Sequence, residues 1–138
     1  VNKPHVLDAS ALIAFLHDEE GADKVDTVLQ KARKGECIIY MNKLNVLEIY
    51  YGVYREDGVE KAEATLTKIM NLPLIVVDAL RDDVFKEAGR LKAVYKISLA
   101  DSIALAEAKI REAKLLTADH HEFDPLDRKR EAKFYWIR

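Results

Sequence analysis

His5-Val6-Leu7-Asp8-Ala9-Ser10-Ala11-Leu12-Ile13-Ala14 reads as a short apolar strand that ends in a carboxylate, turns within two residues and enters a helix through Ser10. Ser, Asp and Asn cap helices because a side-chain oxygen accepts a hydrogen bond from a free amide of the first turn, so Ser10 is the expected cap. Asp8 is then expected at the carboxyl end of a strand, the rim at which open α/β sheets place their sites.

Working outward, the pattern alternates between helical and strand periodicities. A helix over 11–16 is broken by Asp18-Glu19-Glu20-Gly21. A second helix carries Val25, Val28, Leu29 and Ala32 on one face and stops at Gly35. A buried strand is expected over 36–41, a helix over 43–54 and another over 59–70. A strand follows over 74–77, then helices over 80–95 and 98–113. Strands at 114–117 and 134–137 flank a polar loop, or short helix, over 119–130. Strands alternating with helices imply right-handed crossovers and a parallel sheet covered on both faces. The fold class is therefore α/β.

Composition fits one domain over residues 1–138. Half the chain is hydrophobic (49%), a third is charged (33%), and the net charge is -2. That balance gives no whole-protein attraction to nucleic acid, so such binding has to come from local basic patches such as Lys31-Ala32-Arg33-Lys34 and Arg128-Lys129-Arg130 with Lys133. No apolar run reaches membrane-spanning length and the opening residues lack a basic-then-apolar signal, so a cytoplasmic protein without a membrane partner is expected. The one cysteine, Cys37, rules out an intramolecular disulfide and reads as a small buried hydrophobe.

Four acids collect on one rim. Asp8 and Asp119 closely follow strands, Glu48 lies in the second turn of the helix after the second strand, and Asp101 opens the helix leading to the fourth. Glu48 is the only charged residue between Leu44 and Tyr54, which implies either a partner for a desolvated carboxylate or a place at the edge of the apolar stripe. Asp101 also fits a capping box with Ser98, and Asp119 an ordinary turn. Gathered acids repel, and a divalent cation usually offsets that repulsion. Oxygen ligands suit Mg²⁺ or Mn²⁺, and no Cys/His spacing suggests zinc. His120 and His121 read as loop residues.

The motifs Leu7-Asp8-Ala9-Ser10-Ala11-Leu12-Ile13-Ala14, Leu47-Glu48-Ile49-Tyr50-Tyr51-Gly52-Val53, Leu99-Ala100-Asp101-Ser102-Ile103-Ala104-Leu105-Ala106 and Leu115-Leu116-Thr117-Ala118-Asp119 with Phe123 follow one another along nearly the whole chain. In this order and spacing they resemble a PIN-domain ribonuclease, of the compact toxin type found in VapBC toxin–antitoxin pairs. The resemblance implies a three-layer sandwich whose five-stranded parallel sheet has the order 3-2-1-4-5. It also implies an acidic Mg²⁺ or Mn²⁺ site of Asp8, Glu48, Asp101 and Asp119, supported by the Ser10 hydroxyl. RNA would be the substrate, a VapB-type antitoxin the partner and a homodimer the assembly. His120-His121-Glu122 stands where a shorter polar link to Phe123 is expected.

Two other readings compete. A phosphoacceptor receiver domain needs an acidic pair after the first strand and companions for an acid after the third; Asp8 is single and Asp78 lacks those companions. A catalytically silent PIN-fold binding module would have no use for intact acids.

Overall fold

The computed structural model describes residues 3–138. Its elements are β1 (Lys3–Leu7), α1 (Ala9–Leu16), α2 (Ala22–Arg33), β2 (Cys37–Asn42), α3 (Lys43–Asp57), α4 (Val59–Met70), β3 (Ile75–Val77), α5 (Asp82–Val94), α6 (Leu99–Ile110), β4 (Lys114–Thr117), α7 (His120–Arg128) and β5 (Lys133–Trp136). All strand pairs are parallel, and the five strands lie in the order β3-β2-β1-β4-β5. The expected α/β sheet and its order are present. Because β2 separates β3 from β1, Asp78 is remote from the end of β1, and the receiver reading is discarded.

Parallel strands buried on both faces read as continuous apolar runs, and these do. One face of the sheet presents Leu7, Ile39, Met41 and Leu116 to Leu12, Val25 and Leu29 of α1 and α2 and to Val46, Ile49 and Ile69 of α3 and α4. The other presents Val6 and Leu115 to Val84, Leu91, Ile103 and Leu105 of α5 and α6 and to Phe123 of α7. Phe123 is fully buried, its ring 5.5 Å from that of Phe134, so it clamps α7 beneath the rim. Burial of such a side chain is worth about 1.5–3 kcal/mol. Cys37 is buried, as its setting suggested. Among the described residues no helix is long and apolar enough to cross a membrane.

Several boundaries move. The stretch expected as a loop or short helix after Asp119 is helix α7, capped by the Asp119 carboxylate, which accepts from the Glu122 amide. The helix expected over 98–113 ends at Ile110, because Glu112 turns into the left-handed region (φ 53°) and the Ala113 amide closes back on the Ala108 carbonyl. Gly21 has φ +97° and lies so close to the Ile137 carbonyl that a Cβ there would sit 2.7 Å from it. That contact seats the end of the chain against the α1–α2 turn.

Ser10 requires a correction. The α1 helix begins at Ala9, and its cap is Asp8, which is extended (φ -91°, ψ 176°) and accepts from the Ala11 amide at 2.9 Å. Both residue types can cap, but only the residue immediately outside the helix has the extended backbone that aims its oxygen at the first turn. The Ser10 hydroxyl is thereby released for another task.

Candidate metal centre

Asp8 sits at the end of β1 beside the end of β4, since Leu7 pairs with Leu116. Its carboxylate is fixed on both oxygens. Oδ1 accepts from the Ala11 amide and from Ser10 Oγ (2.8 Å), and Oδ2 accepts from Thr117 Oγ1 (2.5 Å). Ser10 Oγ also accepts from the Ala118 amide (3.0 Å), and Thr117 Oγ1 from the Asp119 amide (3.0 Å). Ser10 and Thr117 therefore staple β1 to the turn after β4, and hold Asp8 and Asp119 on a shared frame. Thr117 is fully buried, and the sequence signalled it only as a member of a motif.

A second set of polar contacts sets α3 against α6. Asn42 caps α3 by accepting from the Leu44 amide, and its side-chain amide donates to Glu107 at 2.8 Å. Buried Glu107 is in turn held by Arg111 (2.9 Å), whose guanidinium lies 4.0 Å from the centre of the Tyr40 ring. One turn along α3, the fully buried Asn45 donates to the Ala100 carbonyl at 3.0 Å. Glu48 follows Asn45 by three residues and Asp101 follows Ala100 by one, so this bond sets the spacing of the two acids.

The capping box expected at Ser98 and Asp101 is half made. Ser98 Oγ accepts from the Asp101 amide at 3.1 Å, while the Asp101 carboxylate, nearly buried, stays with the other acids. Asp101, Asp119 and Glu122 each place a carboxylate oxygen within 4.8 Å of the others. Glu122 was missed in the reading of the sequence, where it belonged to a loop. Its signal is its spacing from Asp119, which on a helix beginning at His120 turns it toward the same rim.

The electrostatics follow from this crowding. Burial raises the Asp8 carboxyl to about 6, against the pull of its three hydrogen bonds and with help from Asp119. Asp101 is raised strongly, first by burial and then by Asp8, Asp119, Glu48 and Glu122. Half-buried Glu48 is raised by burial and by Asp119, so it stands at the edge of the apolar stripe yet within reach of the cluster. Among the described residues no Lys, Arg or His forms an ion pair with any of these five acids. A hard divalent cation fits such an all-oxygen, uncompensated donor set. His120 faces elsewhere: it stacks on Trp136 (3.8 Å between ring centres) and contacts Asp124 and the Arg138 carbonyl.

Residues 5–129, which span all five acids, match the family model described as PIN domain. The chain belongs to the PIN domain family. No curated protein matches this PIN domain at a significant level. Its fold is shared with solved structures. VapBC2 from Rickettsia felis, bound to a DNA fragment from its promoter, superposes with a TM-score of 0.75 at 16% identity, over 96% of this chain and 98% of that one. DNA-bound VapBC from Salmonella typhimurium gives 0.75 at 14% identity over 100% of both chains. VapBC-5 from Mycobacterium tuberculosis, a member of the VapBC family of toxin-antitoxin systems, gives 0.62 at 20% identity over 98% of both. At these identities the likeness of the PIN domain to each is one of fold.

Proposed function

We propose that this PIN domain, as one unit over residues 1–138, is a metal-dependent endoribonuclease of the VapC toxin type, hydrolysing phosphodiester bonds in RNA. The observation that carries this reading is the rim of five carboxylates with no ion-pair partner among the described residues, buried far enough to raise the proton affinity of Asp8, Glu48 and Asp101. Asp8, Asp101 and Asp119, joined by Glu122, would hold Mg²⁺ or Mn²⁺, with Glu48 completing the acidic set. When bound, such a cation neutralises charge on the scissile phosphate and acidifies a water molecule.

The chain's own part is positioning. Ser10 and Thr117 keep Asp8 in one rotamer, and Asn45 keeps Glu48 opposite Asp101. Glu48 has an open edge onto a cleft of about 270 Å³ and a raised proton affinity, which suit its carboxylate to take a proton from attacking water. Exposed Lys43, at the start of α3, and Lys96, before α6, would draw the RNA backbone toward the rim. The purified protein is expected to cut single-stranded RNA with Mg²⁺ or Mn²⁺ and to stop in EDTA. Undiminished cutting after thorough chelation would remove the metal from the mechanism.

We also propose a VapB-type antitoxin and a second copy of this chain as partners, with the cytoplasm as the compartment. Leu44, Leu47, Tyr51 and Leu99 line the cleft beside Glu48 and are all exposed, an apolar surface next to a charged one of the kind that partner segments cover. Light scattering of the protein without antitoxin is expected to give the mass of a dimer. Monomer alone at high concentration would refute that assembly.

A further inference from the structure

The rim opposite the acids carries an unassigned basic cleft. It holds about 260 Å³ and is lined by Lys3, Pro4, His5, Glu112, Lys114 and Lys133. Parallel strands begin there, and their register brings the basic groups together. His5 of β1 pairs with Lys114 of β4, and Lys114 pairs with Lys133 of β5. Side chains paired across neighbouring strands point to the same face. Lys3 precedes His5 by two residues and shares that face.

This is a costly arrangement for a chain of net charge -2. Like charges directly opposite on neighbouring strands destabilise a sheet. Lys31, from α2, adds its field at His5. Among the described residues none of Lys3, Lys31, Lys114 and Lys133 has an ion-pair partner, whereas Arg81, Arg90, Lys109, Arg111 and Arg138 are all paired. Glu112 is the one carboxylate lining the cleft. The acids cannot compensate: the rise along β1 from Lys3 to Asp8 is roughly 16 Å, about twice the screening length at physiological salt.

We propose that this cleft is an anion site that takes a phosphate group, held between Lys3, Lys114 and Lys133 with His5 at its floor. Its volume lies below the roughly 300–1,000 Å³ of pockets that enclose whole small molecules. It therefore admits the phosphate and leaves the rest of the ligand outside. That phosphate can belong to a nucleic-acid backbone or to a free or terminal phosphate. The proposal is independent of the acidic site and of any nuclease activity.

His5 supplies the readout. Burial, with Lys114, Lys31 and Lys3, holds its imidazole below the ordinary histidine range, so an anion seated beside it opposes the lysines and favours the protonated ring. The experiment follows the four histidine rings of the metal-free full chain by NMR as a function of pH. Inorganic phosphate and an unphosphorylated short RNA are added separately, against chloride at equal ionic strength. The His5 midpoint is expected to rise by about half a unit or more, while His17, at the far end of α1, stays in place. A response to inorganic phosphate identifies a single phosphate as sufficient. A response to RNA alone identifies a backbone ligand. The doubly substituted Lys114→Gln, Lys133→Gln chain is expected to bind at least about tenfold more weakly and to melt no lower than the parent, because it sheds a repulsion. No rise beyond the chloride control, or an equal rise in the substituted chain, would overturn the proposal.

Discussion

Asp101→Asn is expected to lower RNA cleavage at least about a thousandfold while the protein stays folded. The Asp101 carboxylate does not close the capping box; it lies among acids that raise its proton affinity, so neutralising it removes repulsion from the metal-free fold. The amide that Ser98 holds belongs to the backbone and survives the substitution. A metal ligand, by contrast, needs an anionic oxygen that Asn lacks. Ser98→Ala is the converse probe: it deletes a cap worth about 0.5–2 kcal/mol and leaves the carboxylate where it is. That variant should melt lower yet still cut RNA. Near-normal cleavage by Asp101→Asn would reduce Asp101 to a bystander and leave the remaining acids as the centre.

The second large effect is a pH dependence of the metal-free fold. The native Asp8 carboxyl titrates at about 6, against 3.8 in the unfolded chain, so between these values the native state binds more protons. Stability therefore falls as pH rises through that window, and the penalty, roughly 3 kcal/mol for Asp8 alone, is complete above it. Asp101 acts with the same sign and extends the loss to higher pH. His5, held below its usual range, opposes the trend, because its contribution is lost as pH falls through the histidine range. Glu87 and Glu131, both lowered by ion pairs and hydrogen bonds, lose their contributions only in stronger acid. Subtracting the melting curve of Asp8→Asn from that of the parent isolates the Asp8 term. The parent should melt higher at pH 5 than at pH 7.5 in the absence of metal, and the difference should shrink in the variant and under saturating Mg²⁺. Equal slopes in parent and variant would show that Asp8 carries no such strain.

The homodimer and antitoxin readings are tested separately: parent and variant are compared without antitoxin at one protein concentration, so any contribution of a second copy to the melts is common to both. The apolar cleft beside Glu48 bears on those readings as well as on access to the acids.

Local patterns made most of the fold readable. Apolar runs such as Val6-Leu7 and Leu115-Leu116 announce strands buried on both faces, and the carboxylates just beyond them, Asp8 and Asp119, announce the rim. The order of the strands came with the family resemblance, and the observed sheet agrees with it. Helix caps were less legible. Asp8 and Ser10 are both good capping residues, and only the backbone angles of the folded turn choose between them. The extent of α7 was ambiguous for a similar reason. Polar His120, His121 and Glu122 carry no apolar period, and what holds that turn helical is the burial of Phe123 against the other layer together with the cap from Asp119.

By itself the sequence determined the alternation of strands and helices, the placing of Asp8, Glu48, Asp101 and Asp119 at one end of the domain, and the family to which those motifs point, because each of these depends on spacing within a short segment. Tertiary structure alone decided that Glu122 joins Asp101 and Asp119, that Ser10 and Thr117 staple Asp8 to the turn after β4, that Asn45 spans α3 and α6, and that His5, Lys114 and Lys133 stand in a row on the opposite rim. Each of those contacts joins residues on different elements. Their proximity follows from strand register and from the packing of layers, which no local period encodes.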